Sequence, residues 1–146
     1  EPSGTSALPP LPEEATENTP EGAEAFIRYY FDVANRLYQD PVPGLILELS
    51  DPECESCAAI EEQVAELSSN SQRAEADAYD VQSMERVGGS VDGVTTFNMV
   101  VNLPANAILD ESGSRVSESG AATYRGEGAA VWEGDSWALF GLNLQP

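Results

Sequence analysis

Two cysteines, Cys54 and Cys57, form the one motif in this 146-residue sequence whose residue types and spacing could support chemistry. A Cys-x-x-Cys pair at a helix start could carry out thiol–disulfide exchange, because a helix N-terminus lowers the pKa of a cysteine thiol. The acidic residues Asp51, Glu53 and Glu55 crowd this pair, and their negative charge disfavours the reactive thiolate. The alternative is a structural disulfide that pins the first helical turn in an oxidising compartment. We predict the structural disulfide and keep a thiol–disulfide oxidoreductase as the less favoured interpretation.

The sequence contains no histidine and no lysine. Without histidine there is no Ser-His-Asp or Cys-His nucleophilic site, no histidine general base and no common type of catalytic zinc site. Without lysine there is no Schiff-base chemistry and no phosphate-binding lysine of the Walker type. The carboxylates also lack the spacing of a calcium-binding loop. We therefore predict no catalytic residue, no metal site and no cofactor, and any catalysis would depend on carboxylates, tyrosines, serines or the cysteines.

The chain is strongly acidic, with 26 acidic residues against 6 arginines and a formal net charge of −20. Nucleic acid is a poor partner for such a surface, because phosphate binding needs clustered cations. Anionic lipid headgroups are disfavoured for the same reason. The acidity is typical of a solvated surface, and halophilic adaptation is a second explanation. We expect the partner to be an uncharged or cationic ligand or an envelope protein. The acidity does not determine the oligomeric state.

The element that must organise the domain is a predicted helix over residues 19–40. Its apolar residues fall on one wide arc that includes Phe26 and Tyr30, whereas Arg28 and Asn35 fall on the opposite side. Thr19 is a suitable N-cap and is followed by proline, and Asp40 precedes a proline that closes the helix. We predict a buried central helix with Arg28 and Asn35 exposed.

The remaining elements follow from a change of period along the chain. A second helix is predicted to begin at Ser50 or Asp51 as the N-cap and to bury Cys57, with three more apolar residues on the same stripe. Beyond it the period becomes 2, which predicts strands. The predicted strand segments are residues 73–87, 94–109 with a kink near Pro104, 121–132 and 137–144, and residues 110–120 are predicted to be a polar loop. Helices first and about four antiparallel strands afterwards predict an α+β domain, with the helices on one face of the sheet.

Residues 1–18 are rich in proline and glutamate and poor in large apolar side chains, so they are predicted to form a flexible tether ahead of a domain over residues 19–146.

Three segments read together carry a resemblance: TPEGAEAFIRYY, SDPECESC and the terminal AVWEGDSWAL. They resemble an actinobacterial family of small secreted lipoproteins of unknown function. The order of elements is similar to the nuclear-transport-factor-2-like (cystatin-like cone) fold, in which a curved antiparallel sheet holds the N-terminal helices in its concave face. The resemblance implies an upstream lipidated cysteine, the only expected link to the membrane, and an extracytoplasmic location at its outer face. The family brings no catalytic residues to carry over.

A curved sheet around a helix leaves a mouth, where a ligand is first sought. The residues predicted as a possible pocket lining are Phe26, Tyr30, Tyr79, Trp132 and Trp137, with plain core packing as the alternative. We predict a non-catalytic interaction or small-ligand-binding module of the cell envelope. A small enzyme of the isomerase or dehydratase type, acting through a carboxylate and a tyrosine, is the alternative.

Overall fold

The structure, a computed structural model, describes residues 9–88 and 91–146. The helices are α1 (Pro20–Gln39) and α2 (Glu55–Ser69), with short 3-10 helices at Glu13–Thr16 and Ile46–Leu49. The strands are β1 (Arg73–Ala74), β2 (Asp80–Arg86), β3 (Val94–Leu103), β4 (Asn106–Leu109), β5 (Arg115–Ser119), β6 (Ala122–Glu133) and β7 (Ser136–Gln145).

Helix α1 has the bounds and the caps that the sequence predicts. The hydroxyl oxygen of Thr19 accepts a hydrogen bond from the Gly22 N–H at 2.9 Å, and Pro20 occupies the first turn. At the other end the Asp40 N–H donates to the carbonyl of Arg36 at 2.8 Å. Phe26 and Tyr30 are buried as predicted, so α1 forms the centre of the core.

Asn35, which we predicted to be exposed on α1, is buried with only 8 % of its surface accessible. Its side-chain carbonyl accepts hydrogen bonds from the Ala78 N–H at 2.9 Å and the Tyr79 N–H at 2.8 Å. Its amide group donates to the Tyr79 carbonyl at 2.9 Å. The prediction was wrong because the segment before β2 folds over this side of α1 and uses Asn35 to satisfy its backbone.

Helix α2 begins later than predicted. Cys54 is the N-cap, and its sulfur accepts from the Cys57 N–H at 3.2 Å. Asp51 instead forms a turn ahead of the helix, in which its carboxylate accepts from the Glu53 N–H at 2.9 Å. The disulfide-bonded sulfur therefore takes the capping position that the sequence assigned to Ser50 or Asp51.

The main sheet has four antiparallel strands in the order β2-β3-β6-β7, and the two helices pack against one face of it. Alternate side chains of β3, from Thr95 through Phe97 to Val101, are buried under α1. The β6–β7 hairpin forms as predicted, with Trp132 opposite Trp137 in the register. The predicted α+β class, with helices on one face of an antiparallel sheet, is confirmed.

A second sheet of three strands, in the order β1-β4-β5, was not predicted. It arises because the chain breaks at Pro104 and Ala105, so that β3 stays in the main sheet while β4 joins the small one. Strand β5 lies inside the segment predicted to be a polar loop, and its five residues are all exposed.

Part of the predicted tether is packed on the domain. We call residues 9–18 the N-terminal strap; its 3-10 helix buries Ala15, and the Glu17 carbonyl accepts from Trp137 Nε1 at 2.8 Å. The Tyr29 hydroxyl donates to the Pro9 carbonyl at 3.0 Å. Residues 9–18 are therefore packed on the domain, residues 1–8 lie outside the described residues, and the flexibility of the tether stays a prediction.

Among the helices of the described ranges, none combines the length and the apolar character that crossing a membrane requires.

Candidate functional site

A cavity of about 250 Å³ lies where the C-terminal end of α1 meets α2 and the small sheet, and we call it the tyrosine cavity. Its wall is mostly apolar, with a few polar groups that come from five different parts of the fold. The lining residues are Tyr38, Gln63, Ala74, Ala78, Tyr79, Leu103, Asn106, Ala107, Ile108, Ser117, Glu118 and Ser119.

The polar groups of the interior form a chain of hydrogen bonds. The Tyr38 hydroxyl donates to Oε1 of Gln63, and the hydroxyl oxygens of Tyr38 and Tyr79 lie 3.3 Å apart. The two rings are tilted against each other with their centroids 5.9 Å apart, and Phe31 packs edge-on to Tyr79 at 5.1 Å. Aromatic contacts and hydrogen bonds together therefore fix both phenol groups in place.

Each of these groups is held by its own element. Tyr38 lies in the last turns of α1 and Gln63 on the facing side of α2. The backbone of Tyr79 is tied to α1 by Asn35, and the Asn106 side chain binds the Ala76 N–H at 3.0 Å. The cavity thus depends on several segments of the chain meeting at one place, which makes it a preformed feature of the fold.

Burial governs the electrostatics of the interior. It raises the pKa of the Tyr38 phenol and the pKa of the Tyr79 phenol above their ordinary value, so both are protonated at neutral pH. Glu118, the carboxylate among the lining residues, is exposed and forms an ion pair with Arg115 at 3.4 Å. The interior can therefore exchange hydrogen bonds with a ligand, while its negative charge is confined to the solvent side.

The five residues predicted to line a pocket do not come together in one cavity. Tyr79 lines the tyrosine cavity, whereas Phe26 and Trp137 line a second cavity of about 210 Å³ beside the N-terminal strap. Tyr30 is fully buried and shares a hydrogen bond of 3.2 Å with Ser50, and Trp132 packs edge-on against Trp137 at 5.2 Å. For Tyr30 and Trp132, core packing is the better description.

Tyr38 and Gln63 belong to the cavity and were not named as lining residues. The apolar arc of α1 includes Tyr38, but nothing in the sequence distinguishes it there from a core residue. Gln63 lies beside three glutamates of α2 and has no sequence signal at all.

Cys54 and Cys57 form the disulfide that the sequence predicts. Cys54 is only 4 % accessible and Cys57 is completely buried. Exchange requires a thiolate to reach a sulfur atom along the S–S axis, and burial blocks that approach. The geometry therefore favours a structural disulfide over a redox-active one.

Within residues 9–88 and 91–146, no group of three or more histidine, cysteine or acidic side chains is arranged to hold a metal ion.

The fold is shared with a protein of known structure. The chain is similar to the crystal structure of the intermembrane space region of chloroplast protein ARC6, with a TM-score of 0.61 and 13 % sequence identity. The match covers 84 % of this chain and 92 % of that one, and at this identity it shows the fold alone. None of the curated proteins compared with the sequence matches it. A family described as "Family of unknown function (DUF6318)" matches residues 2–143, and the chain therefore belongs to this family.

Proposed function

We propose that the chain is a non-catalytic ligand-binding domain of the cell envelope and that the tyrosine cavity is its binding site for a small uncharged or cationic molecule. The observation that carries this proposal is the cavity itself, which has apolar walls around two buried phenol groups. An apolar cavity with a few convergent polar groups is the usual form of a small-molecule site.

The charges around the cavity favour binding over turnover. An isomerase or dehydratase would need a base that faces the reacting atoms. Glu118 is exposed and paired with Arg115, and both tyrosines hold their protons at neutral pH because burial raises their pKa. The net charge of −20 also opposes the approach of an anionic substrate.

The proposed location is extracytoplasmic, with a lipid anchor upstream of this sequence. The Cys54–Cys57 disulfide supports an oxidising compartment. The resemblance of the sequence to small secreted lipoproteins supports the anchor. Mass spectrometry of protein isolated from the cells that produce it tests this, since an unlipidated protein in the soluble cytosolic fraction would contradict it.

A pair of variants tests the binding site. Ala78 lines the cavity, whereas Ala76 lies two residues away and is exposed. Ala78→Leu should fill part of the cavity, and Ala76→Leu should leave it open. A thermal-shift screen of neutral, cationic and anionic small molecules should give stabilisation by neutral or cationic compounds. At a concentration 100-fold above Kd the gain is about 2.7 kcal/mol.

The stabilisation should disappear in Ala78→Leu and persist in Ala76→Leu. Stabilisation chiefly by phosphorylated or carboxylated compounds would contradict the proposal. Turnover of a screened compound that depends on Glu118 would favour the enzyme alternative instead.

A further inference from the structure

The direction of the hydrogen bonds between the two phenols of the tyrosine cavity limits which polar group of a ligand they can bind. Tyr38 has one hydroxyl proton, and it donates this proton to Oε1 of Gln63, a carbonyl oxygen that can only accept. The proton of Tyr38 is therefore not available to Tyr79 or to a ligand.

Because Gln63 takes the Tyr38 proton, a hydrogen bond across the 3.3 Å between the two phenol oxygens has Tyr79 as its donor. Because Tyr79 also has a single proton, its oxygen offers only lone pairs to any further partner. Both phenols keep their protons at neutral pH, since burial raises their pKa, so this arrangement holds under physiological conditions.

Most of the remaining wall of the cavity is apolar, and Asn106, Ser117, Glu118 and Ser119 add polar groups to it. Ala74, Leu103 and Ala107 line it with aliphatic carbon, and the rings of Tyr38 and Tyr79 add aromatic surface. An aromatic surface attracts a cation, and the acidic field of the protein adds to that attraction.

We infer that the tyrosine cavity selects ligands through a hydrogen-bond acceptor at Tyr79, and that it takes compact apolar molecules that carry an N–H or O–H donor, primary ammonium groups above all. This inference rests on the proposed function of the cavity and adds the chemical class of its ligand.

Three small molecules with the same aromatic body separate the possibilities: benzylamine carries an ammonium donor, acetophenone only an acceptor and benzoate an anionic acceptor. Binding is measured by NMR titration of the disulfide-intact protein. Benzylamine should bind with at least about tenfold higher affinity than acetophenone, which is the discrimination expected from one charge-assisted hydrogen bond. Benzoate should bind most weakly.

Two variants that remove a single hydroxyl should each reduce the preference for benzylamine over acetophenone, one by weakening benzylamine and the other by strengthening acetophenone. Tyr79→Phe removes the acceptor and should weaken benzylamine binding about tenfold or more. Tyr38→Phe removes the group that holds the Tyr79 proton, so that proton becomes available and acetophenone should gain affinity. Tyr29→Phe is the matched control. Tyr29 lies on α1 like Tyr38, but its hydroxyl donates to the Pro9 carbonyl and lies outside the tyrosine cavity.

Thermal unfolding of each variant checks that it is folded. If Tyr79→Phe does not fold, Tyr38→Phe still tests the inference. Equal affinities for benzylamine and acetophenone, or an unchanged selectivity in the folded cavity variants, would overturn the inference and leave the proposed function standing. Failure of all three molecules to bind would overturn both.

Discussion

Replacement of Asn35 by alanine should be among the most damaging changes on α1 outside the apolar core. The side chain satisfies three backbone groups, namely the N–H of Ala78 and the N–H and carbonyl of Tyr79. A buried polar group that loses its partner costs about 1–3 kcal/mol. Ala78 and Tyr79 are only partly buried, so we take the lower end for each group and expect Asn35→Ala to lower the free energy of unfolding by about 3 kcal/mol.

Urea denaturation measures this change, and hydrogen exchange localises it to the Ala78 and Tyr79 amides. Arg28→Ala is the control on the same helix, because Arg28 is exposed and makes one ion pair with Glu24 at 3.2 Å. Such an exposed pair is worth about 0.3–0.5 kcal/mol. A cost for Asn35→Ala below about 1 kcal/mol, or equal to that of Arg28→Ala, would show that water replaces the side chain and that our account of this contact is wrong.

Three further predictions concern stability. Phe26→Ala should lower the free energy of unfolding in urea by about 3–5 kcal/mol, because the ring is almost completely buried, and a value under 1 kcal/mol would contradict its place in the core. The double variant Cys54→Ser with Cys57→Ser should cost about 2 kcal/mol by loss of a short closed loop, with ligand binding in the thermal-shift screen retained. Gly22→Ala should release the N-terminal strap, because a Cβ atom there would lie 2.2 Å from a carbonyl oxygen of the strap. Hydrogen exchange of residues 13–17 should increase in that variant and stay unchanged in the control Gly120→Ala, which has open space around it.

The parts of the fold that could be predicted are those specified by neighbouring residues. Thr19 and Pro20 mark the start of α1, and the same residues carry out the capping in the structure. The β6–β7 hairpin follows from alternation around a short Gly-Asp turn between Trp132 and Trp137. Signals of this kind act over three or four residues, so they are visible in the sequence without any knowledge of tertiary contacts.

The parts that could not be predicted depend on contacts between distant segments. Asn35 and Tyr79 are 44 residues apart, and only the fold of the intervening chain turns a polar helix position into a buried one. Strand β5 is exposed along its whole length, so it lacks the alternation that identifies strands. The tyrosine cavity also depends on distant contacts. Tyr38 and Gln63 lie on two helices that periodicity predicts, but periodicity does not show how these helices pack together.

The positions of the N-terminal strap and the tyrosine cavity also determine how the domain carries mechanical load. Gly22, where the strap meets α1, and Tyr38 lie about 24 Å apart along the helix at a rise of 1.5 Å per residue. A pulling force on the N-terminus would pass through the Glu17–Trp137 hydrogen bond into β7 and through the Pro9–Tyr29 hydrogen bond into the first half of α1. Neither contact involves a residue that lines the cavity. Tension would therefore peel the strap from the domain before it reached the end that holds the tyrosine cavity.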